Sequence, residues 1–89
     1  MARAEADIVN KLGLHARAAA KLTRLAGGFA AEVWLSRNGR RVNAKSIMGV
    51  MMLAAGRGSR VVVETEGEDA DAALGAILEL IAGKFGEEE

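Results

Sequence analysis

The chain has 89 residues, one tryptophan, no proline, no cysteine and a formal net charge of zero. That length allows one small domain, residues 1–89, with a thin core unsupported by disulfides or thiolate metal sites, and 51% apolar with 27% charged residues excludes a disordered chain. No apolar run approaches the roughly 20 residues of a membrane span, and the opening MARAEADIVN lacks the apolar core of a signal peptide, so a cytosolic domain is expected.

Glu5 to Val9 alternates, with Ala6 and Ile8 facing one way, and predicts a short half-buried strand. Asn10-Lys11-Leu12-Gly13 breaks it. From Ala16 the residues favour a helix, with Ala19, Leu22 and Ala26 on one stripe and Leu25 beside it. Gly27-Gly28 is expected to stop that helix through backbone angles a side chain would resist. Ala31, Val33 and Leu35 alternate with Glu32, Trp34 and Ser36 as a second strand. Asn38-Gly39 then signals a hairpin back into Arg40 to Asn43, because both residues tolerate positive φ.

Ser46 is placed to cap a short helix over the apolar run Ile47 to Leu53. Ala54 to Ser59 reads as a loop. Arg60 to Glu66 reads as a fourth strand with Val61 and Val63 inward. Gly67-Glu68-Asp69 opens a last helix, where acids suit the positive end of the dipole. Its expected buried stripe is Ala70, Ala73, Leu74, Ile77, Leu78 and Ile81. Gly83 to Gly86 loosens its end, and Glu87-Glu88-Glu89 reads as a frayed acidic tail. The order β-α-β-β-α-β-α predicts an α+β sandwich, an antiparallel sheet covered on one face by three helices. The open face would carry Glu5, Asp7, Glu32, Trp34, Arg60, Val62, Glu64 and Glu66, with Trp34 partly solvated.

The zero net charge hides a split. Residues 1–60 hold eleven lysines and arginines against three acids, a balance of +8, and residues 61–89 hold the opposite balance of −8. Either the surface is polarised and attracts anions, or the charges interleave on folding.

One histidine without cysteine cannot build a transition-metal site unaided, and no phosphate-binding glycine loop of the G-x-x-x-x-G-K-[ST] type is present. No metal or cofactor is therefore expected. Gly13-Leu14-His15-Ala16-Arg17 remains. His15 stands where a loop meets a helix N-terminus, whose unpaired N–H groups and dipole favour an anion. Arg17 adds a planar fork suited to phosphate oxygens, although a first-turn arginine opposes the dipole by about 0.3–1 kcal/mol. Lys21 and Arg24 extend the positive character. A neutral imidazole is a competent nucleophile, so the arrangement fits a phosphohistidine carrier supplied by another protein. The alternative is a surface histidine without special role. Ser46 likewise reads as a plain N-cap or as a phosphorylation site at a helix N-terminus. Ile47, Met48, Met51 and Met52 cannot all be buried by one face, and Met48 with Met51 suggests an adaptable partner surface.

At these residues the chain resembles the HPr family, the histidine-containing phosphocarriers of the bacterial phosphoenolpyruvate-dependent phosphotransferase system. Two stretches carry the resemblance: Asn10-Lys11-Leu12-Gly13-Leu14-His15-Ala16-Arg17 and Asn43-Ala44-Lys45-Ser46-Ile47-Met48-Gly49-Val50-Met51, with Gly67-Glu68-Asp69 also matching. The resemblance implies an open-faced β-sandwich with a four-stranded antiparallel sheet. It implies that His15 is phosphorylated on Nδ1 by enzyme I and passes the group to an enzyme IIA component, a carrier without turnover of its own. It makes Arg17, with the backbone of Ala16 and Arg17, the groups that stabilise the phosphoryl. It makes Ser46 the site of HPr kinase/phosphorylase, and Leu14, Ala20, Arg24, Ile47, Met48 and Met51 the partner-binding residues. A monomer serving sugar transport is expected, without nucleic acid or membrane insertion. One departure is Ala18, where many members carry a proline that preorganises the first helical turn. Leu12 is another, apolar where a polar residue is frequent. A regulatory member of the same fold, including the nitrogen-related branch, is the alternative. A nucleic-acid-binding domain is the more distant rival, disfavoured because Trp34, Phe29 and Phe85 are scattered and the open face is acidic.

Overall fold

The structure, a computed structural model, describes residues 1–88. Strands β1 (Ala2–Asp7), β2 (Glu32–Arg37), β3 (Arg40–Asn43) and β4 (Arg60–Glu66) form one antiparallel sheet in the order β1-β4-β2-β3. Helices α1 (Ala16–Gly27), α2 (Ile47–Met52) and α3 (Ala70–Ala82) complete the predicted order, and α3 packs on β1, β4 and β2. The result is the α+β open-faced sandwich that the alternation implied.

Sheet and helices meet where the periodicities place apolar groups. Val33, Leu35, Val61 and Val63 are no more than 1% exposed, and so are Ala19, Leu22, Ala26, Ala73, Ile77 and Ile81 opposite them. Of the expected α3 stripe, Leu74 and Leu78 are only partly buried. Thr65 is buried among these residues because its Oγ1 donates to the Ala70 carbonyl at 2.7 Å, so the hydroxyl is not left unpaired. On the open face Trp34 is half-buried, and the Arg41 guanidinium lies 4.3 Å from its ring centroid.

The Asn38-Gly39 turn holds both residues at positive φ (51° and 81°), as a two-residue hairpin that matches strand twist requires. Strand β1 begins three residues earlier than expected. Ala2 and Ala4 give a weak apolar signal, but pairing with β4 runs from Ala2 opposite Thr65 to Asp7 opposite Arg60. Helix α1 does end at Gly27-Gly28, but not through left-handed backbone. Gly28 has φ −79°, neither glycine is at positive φ, and a Cβ on Gly27 would meet open space.

The chain's end departs most from expectation. Beyond Gly83 a turn over Lys84–Gly86 places Lys84, Phe85 and Gly86 at φ 58°, 55° and 78°. Phe85 is fully buried and is the largest such side chain, and its carbonyl accepts from Lys21 Nζ at 2.7 Å. The tail therefore folds back over the start of α1 and does not fray at Glu87. Glu89, read as part of that tail, lies outside the described residues.

Candidate functional site

His15 is the N-cap of α1, extended at φ −75° and ψ 178°, with no side-chain cap bond. Its carbonyl accepts from the Ala19 N–H at 2.8 Å, so the helix starts without drawing on the imidazole. The N–H groups of Ala16 and Arg17 have no acceptor among the described residues, as the geometry of a helix start dictates. The Arg17 side chain is exposed.

The loop before His15 is held by close backbone approach. Gly13 has φ +65°, and a Cβ there would lie 2.5 Å from the Ala55 carbonyl oxygen. The same oxygen accepts from the Leu14 N–H at 2.9 Å. Asn10 is buried, and its Nδ2 donates to the Gly13 carbonyl and to Glu87 Oε1, both at 2.9 Å. Glu87 Oε2 in turn lies 2.5 Å from His15 Nε2. Hydrogen bonds from Asn10 first, then from His15, hold the Glu87 carboxyl below the usual carboxylate range. An open depression of about 850 Å³ lies over these groups, bordered by Lys11, Leu12, His15, Ala16, Arg17 and Glu87.

Ser46 sits at the predicted cap: its Oγ accepts from the Gly49 N–H at 3.1 Å. Helix α2 buries Val50 and turns Ile47, Met48, Met51 and Met52 outward, with Met48 72% exposed. It packs against α1, which puts the two regions singled out in the sequence on neighbouring helices.

A family model described as "PTS HPr component phosphorylation site" matches residues 2–83. The chain belongs to the HPr phosphocarrier family. It is 63% identical to the phosphocarrier protein HPr of Cupriavidus necator over 89 residues, all of both chains. It is also 46% identical to the phosphocarrier protein NPr of Shewanella violacea over 83 residues, 93% of this chain and 91% of that one. The crystal structure of HPr-C-His from Thermoanaerobacter tengcongensis superimposes with a TM-score of 0.97 at 43% identity, covering all of both chains.

Within this HPr fold the sequence-predicted residues separate into groups. His15, Ala16 and Arg17 come together at the start of α1. Arg24, Ile47, Met48 and Met51 are exposed and Ala20 is half-buried. Leu14 is not a surface residue: it is 6% exposed and belongs to the core, because the Gly13 turn points it inward. Ala18 is fully buried as well. The sequence reading missed Asn10 and Glu87. It expected positive charge around the imidazole, but the group bonded to the ring is a carboxylate. No periodicity announces a contact 72 residues away. The one available signal was Phe85, an aromatic placed after a helix-breaking glycine, which anchors the turn.

Proposed function

We propose that this chain accepts a phosphoryl group on His15 from phosphorylated enzyme I and passes it to an enzyme IIA component. The observation that carries this reading is the state of the imidazole. Nε2 is committed to Glu87, and Nδ1 has no partner among the described residues, beside the unpaired N–H groups of Ala16 and Arg17. A neutral ring protonated on Nε2 presents its lone pair on Nδ1. The Nδ1 lone pair forms the new bond to phosphorus as the donor's bond to phosphorus breaks, and that electron pair stays with the donor atom. The N–H groups and the helix dipole then favour the anionic product, and the exposed Arg17 guanidinium is placed to pair with its oxygens.

The exposed Ile47, Met48 and Met51 support a docking surface for partner proteins, and Ala20 and Arg24 on α1, the helix that packs on α2, are further candidates for it. Ser46 is a candidate target of HPr kinase/phosphorylase, its Oγ already at a helix start. The single chain closes its own core, which supports action as a monomeric one-domain carrier, and membership of the HPr family supports the cytoplasm as its place of action. Sugar uptake is the main reading. The similarity to an NPr supports a second, in which the carrier serves a regulatory, nitrogen-related branch.

The test is incubation with phosphoenolpyruvate and enzyme I followed by intact mass measurement. The wild type is expected to gain one phosphoryl group and His15→Ala none. A gain that survives His15→Ala overturns the assignment. Repeating the assay with sugar-branch and nitrogen-branch enzyme I separates the two readings.

A further inference from the structure

We infer that Glu87 is a positioning residue for His15, holding the imidazole with its proton on Nε2 so that Nδ1 is the nitrogen presented for phosphoryl transfer. The inference rests on the carrier reading above and adds to it a residue beyond the matched stretch, which stops at residue 83.

Both carboxylate oxygens are used: Oε1 accepts from Asn10 Nδ2 at 2.9 Å, and Oε2 meets His15 Nε2 at 2.5 Å. An ionised carboxylate only accepts, so the ring nitrogen facing it must donate. In the neutral ring that fixes the proton on Nε2 and leaves the lone pair on Nδ1. Asn10 is itself fixed by donating to the Gly13 carbonyl, so the carboxylate is held from behind by the loop that carries His15. A histidine oriented by a carboxylate through its other nitrogen is a recurrent arrangement where one ring nitrogen must be kept reactive.

The chain end reaches this place by a costly route. Lys84 and Phe85 are non-glycine residues in consecutive left-handed conformations, which side chains with a Cβ adopt only at a cost. Burial of Phe85 and the bond from Lys21 to its carbonyl offset that cost. Anchored by Phe85, the turn delivers the Glu87 carboxylate to His15.

The contact also bears on the product. When Nδ1 takes the phosphoryl group while Nε2 keeps its proton, the ring gains positive charge. Glu87 faces that charge, while Arg17 is placed to meet the phosphoryl oxygens. Lys11 and Glu88 are the other charged groups bordering the depression, and Lys21 acts on Glu87 from α1.

The experiment compares full-length wild type, Glu87→Ala and Glu87→Gln. Ring nitrogens are read by NMR on protein labelled with ¹⁵N-histidine at mildly alkaline pH, without phosphate donor. Phosphoryl acceptance from enzyme I is timed in parallel. The wild type is expected to show a protonated Nε2 and a bare Nδ1. Glu87→Ala should move both resonances toward averaged values and slow acceptance by about tenfold, below the several-decade loss seen where a deeply buried carboxylate sets a catalytic histidine. Glu87→Gln, which keeps an accepting oxygen but loses the charge, should restore the ring resonances and part of the rate. Unchanged ring resonances in Glu87→Ala overturn the inference. So does an altered ring with an unchanged rate, which would leave the contact purely structural. If wild-type protein takes no phosphoryl group on His15, the carrier reading fails and the positioning role with it, whereas the ring spectra still report whether Glu87 holds the proton.

Discussion

Gly13 and Gly27 show how far a single residue's chemistry could be read in advance. Both stand at the ends of predicted elements, and both read as breakers. Only Gly13 needs to be glycine: it is at φ +65°, and an added Cβ would lie 2.5 Å from Ala55 O and 2.7 Å from Gly56 Cα. Those are backbone atoms, so no side chain can swing away to make room. Gly13→Ala is expected to lower stability by about 2–3 kcal/mol, combining left-handed strain with displaced backbone, and to slow transfer because the displaced loop carries His15. Gly27→Ala serves as the control, because its site is open and at negative φ. It should be neutral or stabilising by about 0.4–1 kcal/mol. Urea unfolding of the two variants checks both. Equal midpoints would show that the close approach of the two loops gives way readily.

At the scale of elements, strands and helices were legible wherever one face is buried, because alternation and helical stripes report that directly. The hairpin was legible from two residues, Asn38 and Gly39. The ends were less so. Strand β1 starts at Ala2 because β4 supplies partners for it, and small alanines do not announce that. The short helix α2 was legible from its cap. Ser46 Oγ accepts from Gly49 N–H, so Ser46→Ala should destabilise by about 1 kcal/mol, measured as a shift in unfolding midpoint. Ser46→Asp retains a capping acceptor and adds a charge that the helix dipole tolerates. It is therefore expected to keep near-wild-type stability while weakening transfer from enzyme I. That pair separates the two readings of Ser46. If both variants transfer like wild type, the serine is a cap and nothing more.

At the scale of the whole molecule, the charge split partly interleaves. Arg41 of the basic half reaches Glu64 of the acidic half across the sheet, whereas the bond from Arg60 to Asp7 and its approach to Glu5 stay within the basic half. From the acidic half, Glu87 lands on the cationic His15 region. A second long-range closure comes from Asp69, the residue before α3. Its carboxylate accepts from the Ala30 and Ala31 N–H groups at 2.9 and 2.7 Å, tying α3 to the turn after α1. Neither closure could be read from local pattern, because each joins segments that only the fold brings together. Both carry a pH dependence of the same sign. The N–H of Ala30 foremost holds the Asp69 carboxyl below its usual range, and the Asn10 bond does so for Glu87. A group whose pKa is lower folded than unfolded binds protons more readily when unfolded. Its contribution is therefore present above the ordinary carboxylate pKa of about 4, and is lost as pH falls through the depressed folded value. Asp69→Asn, which cannot ionise, should be less stable than wild type near neutrality. The two proteins' urea midpoints should converge as the pH falls below about 4, because the wild type alone is losing the contribution. Parallel midpoints across that range would show that the Asp69 contacts stabilise the fold without any help from its charge.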